Sequence, residues 1–262
     1  MPIITLTSDF GLKDHYVGTV KGSIYSELPE AQVVDISHLI PPCDILQGAY
    51  IFSNAWPHFP KGTIHIVAVN AVSTVEHPHV GIFFQGHYFI GNDNGLFSLL
   101  FPNHPELVVE FNIRQDSNSL TFPTRDIFVK AACHLARGGT LEILGKRKEK
   151  LTERSRLHQP PGELSIRGNI IYIDSVGNLV TDITHQLFKD TGKGRKFTIE
   201  IAGYNIDKIV TKYSDVVDGE MLAFFNSSGY LEIAQNKGSA VKALKKTMND
   251  SIRIEFHADQ SR

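Results

Sequence analysis

At 262 residues, 42% hydrophobic and 21% charged, the chain has the composition of one large folded domain or two modest ones, which excludes wholesale disorder. A formal charge of -2 supplies no basic field for a nucleic-acid backbone, and no apolar run approaches the ~20 residues that a membrane helix needs, so neither nucleic acid nor membrane is expected as a partner. Two cysteines without CxxC spacing, Cys43 and Cys133, give neither a disulfide framework nor a zinc site, and Met1-Pro2-Ile3-Ile4 reads as a strand rather than a signal peptide. A soluble cytoplasmic protein is expected.

The first ~150 residues alternate between strand and helix patterns, as parallel α/β folds do. Ile3 to Thr7 is a short apolar strand. A helix follows with Tyr16, Val17, Val20, Ile24 and Leu28 on one stripe, and Pro29 ends it. Gln32 to Ile36 is a second strand. Asp44 is placed to cap a second helix with Leu46, Ala49, Tyr50, Ser53 and Trp56 on its inner face. Thr63 to Val69 is a third strand, apolar nearly throughout, as a strand covered on both faces is. Val80–Phe84 and His87–Ile90 flank Gln85-Gly86 and predict a hairpin. Val108 to Phe111 is another strand, and Arg125 to Arg137 a helix stopped by Gly138-Gly139.

Residues 146–162 are charged and then punctuated by Pro and Gly, which marks a linker between an α/β domain at 1–150 and a second domain at 163–262. Beyond it come strands only, at Ile170–Ile173, Leu179–Ile183, Phe197–Ile201, Ile206–Thr211, Met221–Phe225, Leu231–Ala234 and Ile252–Phe256. Their even spacing predicts a small β-barrel or sandwich. The fold class expected is α/β, a mostly parallel sheet followed by a small barrel.

Four polar clusters sit where strands of the first domain end, the usual place for ligands in open α/β sheets. The first is Thr7-Ser8-Asp9-Phe10-Gly11. A carboxylate there can accept both hydroxyls of a ribose, and it can equally cap the next helix. The second is Asn70-Ala71-Val72-Ser73-Thr74, followed by Glu76, His77 and His79. His65 and His79 fall within apolar strand patterns rather than at ligand spacing, so no metal is expected. The third, Asn92-Asp93-Asn94-Gly95, reads as a turn. The fourth, Thr121 to Asp126, opens a helix, with Thr124 as its N-cap and free N–H groups able to meet an anion. In the second domain, Asp174 to Asn178 and Asn226 to Tyr230 join strands as ordinary turns.

Together and in order, the segments at 6–22, 33–49, 91–98, 121–136, 174–183 and 225–236 resemble the SAM (S-adenosylmethionine) hydroxide adenosyltransferase family, relatives of the fluorinases and chlorinases. The resemblance covers nearly the whole chain. It implies a homotrimer with SAM bound between the N-terminal domain of one subunit and the C-terminal domain of its neighbour. It further implies that Asp9, beside Phe10, binds the ribose. Asp174 and Ser227, beside Ser228, hold the methionine end. Asn178 and Ala234–Asn236 face the adenine. SAM is then substrate, with no further cofactor. The implied reaction is displacement at ribose C5′ with methionine leaving. Hydroxide gives adenosine, and halide gives a 5′-halo-adenosine.

The water-using members carry an Asp-Arg-His set, whose positions fall here on Asn70, on Glu76 or His77, and on Pro123. Three readings follow: a SAM hydrolase in which Asn70, Ser73, His77 and Thr124 orient the water; a halide-using enzyme with Thr124 as the hydroxyl; and a binder of SAM or adenosine without turnover.

Overall fold

The computed structural model describes residues 1–113, 121–154 and 162–258; residues 155–161 of the expected linker lie outside them. The chain divides into two compact units, Met1–Arg156 and Leu157–Arg262. No described helix is long and apolar enough to cross a membrane.

The first unit is built on a seven-stranded sheet. In chain order its elements are β1 (Ile3–Ser8), α1 (Tyr16–Glu27), β2 (Gln32–Ser37), α2 (Ile45–Ser53), β3 (Ile64–Ala68), β4 (His79–Phe84), β5 (His87–Asn92), β6 (Leu107–Phe111), α3 (Val129–Ala136) and β7 (Gly145–Arg147). The strand order is β2-β1-β3-β5-β4-β6-β7. The first four strands run parallel, and β4, β6 and β7 extend the sheet antiparallel. The start of the charged stretch, Gly145–Arg147, thus pairs with β6.

Helices cover both faces, which is why β1 and β3 read as largely apolar without strict alternation. Ile4, Leu6, Ile64, Ile66 and Ile90 pack with Val20 and Ile24 of α1 and with Ile127 to Leu135 around α3. The opposite face carries Val67, Val80, Ile82 and Phe89 against Ile45, Ala49 and Phe52 of α2. Burying each such aliphatic or aromatic side chain contributes about 1.5–3 kcal/mol.

Local chemistry accounts for several elements. Asp44 Oδ1 accepts from Gln47 N at 3.0 Å, the expected cap of α2. Gln85 and Gly86 both have positive φ, 51° and 85°, which a two-residue hairpin turn with the right twist requires.

Some expectations were displaced. The buried residues of α2 are Ile45, Gly48, Ala49, Tyr50 and Phe52, so Ala49 and Tyr50 of the expected face are buried, as is Trp56 just past the helix, whereas Leu46 and Ser53 are not. Gly48 lets the helix approach closely, since a Cβ there would lie 3.2 Å from Val69 Cγ2. The third helix starts with a π turn, Thr124–Phe128. Its N-cap is Pro123 and its entry bonds are Arg125 N and Asp126 N to Phe122 O, so Thr124 does not cap it.

The second unit is one nearly closed antiparallel sheet. Its strands are β8 (Ser165–Ile173), β9 (Leu179–Thr184), β10 (Phe197–Ile201), β11 (Tyr204–Ile206), β12 (Met221–Phe225), β13 (Tyr230–Gln235) and β14 (Ser251–Phe256), in the order β11-β10-β14-β8-β9-β13-β12. A single bridge between Ile209 and Ala223 links the segment after β11 to β12 across the gap. Alternate residues point inward, such as Ile252, Ile254 and Phe256 of β14.

Of the strand expected at Ile206–Thr211 only Ile206 lies in a strand, as the last residue of β11, and Ile209 forms an isolated bridge; further on, Asp215 Oδ2 accepts from Thr211 N and Lys212 N and turns the chain. Two short helices went unforeseen, α4 (His185–Gly192) and α5 (Ala240–Leu244). Thr184 Oγ1 caps α4 by accepting from Leu187 N at 3.1 Å.

Candidate active site

From β1 the chain goes on to β2 on one side and from the adjacent β3 to β4 and β5 on the other, so the connections leave the C-terminal ends of β1 and β3 in opposite directions. That divergence is where open α/β sheets form ligand crevices. Ser8, Asp9, Phe10 and Gly11 stand at this end. Gly11 has φ 71°, and its N–H donates to His38 O at 2.7 Å, which bends the chain away from the sheet.

Asp9 gathers the neighbouring loops. Its Oδ2 accepts from Asn70 N at 3.0 Å and from Cys43 N at 2.9 Å. Both donors sit in left-handed backbone, at φ 48° and 62°, the conformation that aims their N–H groups at one oxygen. A single carboxylate thus fixes the segments before α2 and after β3. Phe10 stands beside it in an aromatic group with Tyr16 and Phe122, ring centroids 5.3–5.9 Å apart.

The Asn-Asp-Asn-Gly segment is more than a turn. Asn92 Nδ2 donates to Val72 O at 2.6 Å, and Asn94 Nδ2 donates to Val69 O at 3.0 Å and Asn70 O at 3.2 Å. Asp93 between them is fully buried, with Lys148 Nζ 3.4 Å away and Thr152 N donating at 2.8 Å. The third polar cluster therefore braces the second.

Of the residues singled out for catalysis, Thr124 lines a narrow crevice with Thr7, Ser8, Phe10 and His38 at the end of β1. Asn70 joins Asp9 through its backbone. Ser73 is exposed, and His77 is half-buried with its ring Nδ1 on Asp93 O at 3.1 Å. Thr7 and Ser8 belong to the first polar cluster, whereas the crevice residue His38 went unmarked in the sequence, although it follows Asp35 by three residues in Val33-Val34-Asp35-Ile36-Ser37-His38.

In the second unit, Asp174 holds its own turn. Oδ1 accepts from Gly177 N and Asn178 N at 2.8 Å each, and Oδ2 accepts from Asn178 Nδ2 at 2.9 Å. Gly177, at φ 96°, is required because a Cβ would lie 2.1 Å from Ser239 Oγ. Asn178 Nδ2 also donates to Tyr213 OH at 3.0 Å, and Asn226 Nδ2 donates to buried Glu232 at 3.0 Å. Burial pushes the Glu232 carboxyl up from its ordinary value; the bond from Asn226 works against this and the charge of Asp174 adds to it. Ser227 is exposed, Ser228 N donates to Asn226 Oδ1, Ala234 is fully buried, and Asn236 Nδ2 donates to Val216 O at 2.9 Å. Tyr213 and Glu232 had no distinguishing local signal.

Comparison with known proteins identifies this arrangement. The family model for the SAM hydroxide adenosyltransferase N-terminal domain matches residues 4–145, and that for the C-terminal domain matches residues 168–253. The chain belongs to the SAM hydroxide adenosyltransferase family. It is 32% identical to an (R)-S-adenosyl-L-methionine hydrolase from Thermus thermophilus, over 90% of this chain and 93% of the relative. It is 30% identical to one of the same name from Methanocaldococcus jannaschii, over 98% and 97%. A solved structure of an uncharacterized conserved protein from Thermotoga maritima superposes with a TM-score of 0.86 at 28% identity, covering 96% of this chain and 99% of that one. Asp9, Asn70 and Thr124 all belong to the first unit of this family member, and Asp174, Asn178 and Ser227 to the second.

Proposed function

We propose that the protein hydrolyses S-adenosylmethionine to adenosine and L-methionine by attack of water at ribose C5′. The observation that carries this reading is Asp9: a carboxylate at the divergence point of the sheet, pinned by two backbone donors and so pre-aligned to accept a vicinal diol. Support comes from relatives at 30–32% identity that bear the hydrolase name.

On this reading Asp9 binds the ribose hydroxyls with Phe10 alongside. Asp174, Ser227 and Ser228 hold the methionine end, and Asn178, Ala234 and Asn236 recognise the adenine. Asn70, Ser73, His77 and Thr124 orient the water. A sulfonium is a good leaving group, so the protein's task is to place a desolvated nucleophile in line with the C5′–S bond. SAM is substrate, and no other cofactor is required. Assembly as a homotrimer and a cytoplasmic setting belong to the same proposal, and light scattering returning a monomer would contradict the first.

One observation favours a halide as the alternative nucleophile: the Thr124 hydroxyl is buried and finds no partner among the described residues. Incubation with SAM, with and without chloride, followed by chromatography, separates the readings. Adenosine and methionine rising together without chloride is the expected result. Product only with chloride favours the halide enzyme, and intact SAM with measurable binding overturns turnover altogether.

A further inference from the structure

Four consecutive carbonyls just after β3, those of Val69, Asn70, Ala71 and Val72, are each met by a buried side chain. Asn94 Nδ2 donates to Val69 O at 3.0 Å and to Asn70 O at 3.2 Å. Asn92 Nδ2 donates to Asn70 O at 3.3 Å and to Val72 O at 2.6 Å. His79 Nε2 lies 2.8 Å from Ala71 O, and a carbonyl only accepts, so the ring hydrogen sits on Nε2. All three side chains belong to residues no more than 8% exposed.

An amide nitrogen carries two hydrogens, and both asparagines use both of theirs on this strap. The orientation of the Asn94 amide is settled from its other end, where Oδ1 accepts from Leu96 N at 3.2 Å. Carbonyls of a surface connection are ordinarily left to water, so three interior side chains committed to four of them call for a reason beyond joining β3 to β4.

The N–H side of the strap supplies that reason. With its carbonyl gripped twice, the Asn70 peptide is held in left-handed backbone at φ 48°, and its N–H donates to Asp9 Oδ2 at 3.0 Å. Cys43 N meets the same oxygen at 2.9 Å. Asp9 Oδ1 is left with no hydrogen-bond partner among the described residues. One oxygen of the carboxylate is thus fixed by protein, and the other faces outward with two lone pairs that two neighbouring hydroxyls can share.

We infer that Asn92, Asn94 and His79 are positioning residues that set which Asp9 oxygen meets the ligand, and so make the site selective for a nucleoside that keeps its ribose 2′-hydroxyl. The inference rests on the reading of Asp9 as the ribose ligand. The three side chains act through the Asn70 peptide rather than on the ligand. Without either asparagine the left-handed turn relaxes and Oδ2 loses one of its two donors. The carboxylate then swings, and the second hydroxyl of a diol adds little to binding.

The test titrates the full chain with adenosine and with 2′-deoxyadenosine by calorimetry. It compares wild type with Asp9→Ala, Asn92→Ala and Asn94→Ala, and thermal unfolding shows which variants are folded. Wild type is expected to bind adenosine roughly tenfold or more tightly than the deoxy analogue, and Asp9→Ala to erase that preference. Asn92→Ala and Asn94→Ala are each expected to reduce it to about threefold or less. A merely structural strap would weaken both nucleosides equally and leave the ratio unchanged. The asparagines share the Asn70 carbonyl, so whichever variant folds decides the matter. His79→Phe, which keeps a ring against Phe128 and removes the donor, stands in if neither does. A wild-type ratio in a folded strap variant, with Asp9→Ala having lost it, overturns the positioning role alone. A wild type that binds neither nucleoside or both alike, or an Asp9→Ala protein that keeps the ratio, overturns Asp9 as the ribose ligand, and the positioning role with it.

Discussion

Strand β1 makes two hydroxyl–imidazole contacts three residues apart, and they differ in the third partner. Thr5 Oγ1 lies 2.7 Å from His65 Nδ1, and His65 Nε2 lies 3.2 Å from His87 Nδ1. Ser8 makes the equivalent contact to His38, but there the far nitrogen meets a carboxylate. The first chain is walled by Phe52, Trp56, Phe59 and Phe89. Burial, with a further push from His87, drops the His65 pKa to about 3. A second imidazole in an aromatic box cannot welcome a proton, so this chain is structural. Beside His38 stands the Asp35 carboxylate instead, 3.1 Å from Nε2 and shared with Lys21 Nζ at 2.6 Å.

Acid is expected to break this comparison most strongly. His65 is neutral in the folded protein down to about pH 3 but titrates near 6.5 when unfolded. The folded pKa is the lower one, so the unfolded state binds more protons between these values. Stability is therefore full above pH 6.5 and falls as pH drops toward 3, by about 1.4 kcal/mol per unit at the acid end. Denaturant titrations across this range check the slope, and His65→Gln is expected to flatten it. An unchanged slope in that variant would place the acid sensitivity elsewhere.

Single-hydroxyl variants sharpen the contrast. Thr5→Val strands the His65 nitrogen in the core and is expected to cost about 1–3 kcal/mol of stability while leaving SAM affinity unchanged. Ser8→Ala strands buried His38 Nδ1 in the same way and is expected to cost a similar amount. Chemical unfolding of the two proteins reads both effects, and an unchanged stability in either would show that its hydroxyl–imidazole contact carries no weight.

At the ligand itself, Asp9→Ala is expected to weaken SAM binding by about 1–3 kcal/mol, because Cys43 and Asn70 lose their common acceptor and the ribose its partner. Ser227→Ala is expected to give a smaller loss, since Ser227 is exposed. Calorimetry showing no change in either would remove both residues from the SAM site.

What was legible in the sequence was what local chemistry decides. Asp44 caps α2 and Gln85-Gly86 turns a hairpin because each satisfies a constraint within four residues. The burial of β1 and β3 followed from their largely apolar runs. Lost were features set by distant contacts. The stripe of α2 depends on Val69 and Leu96 against Gly48. The chain Ser8–His38 spans thirty positions and looked like two unrelated loop ends. Asp9 stood out as a carboxylate at a strand end, but its role as the acceptor for two left-handed N–H groups belongs to the folded loops. Glu232 resembled any outward strand residue, and the β12–β13 hairpin places it beside Asn226 six positions away.

The central claim, water attacking C5′, is tested most directly by turning SAM over in ¹⁸O-labelled water and weighing both products. The account predicts one heavy oxygen in the 5′-hydroxyl of adenosine and none in methionine. Label in methionine, unlabelled adenosine, or no adenosine at all would contradict it.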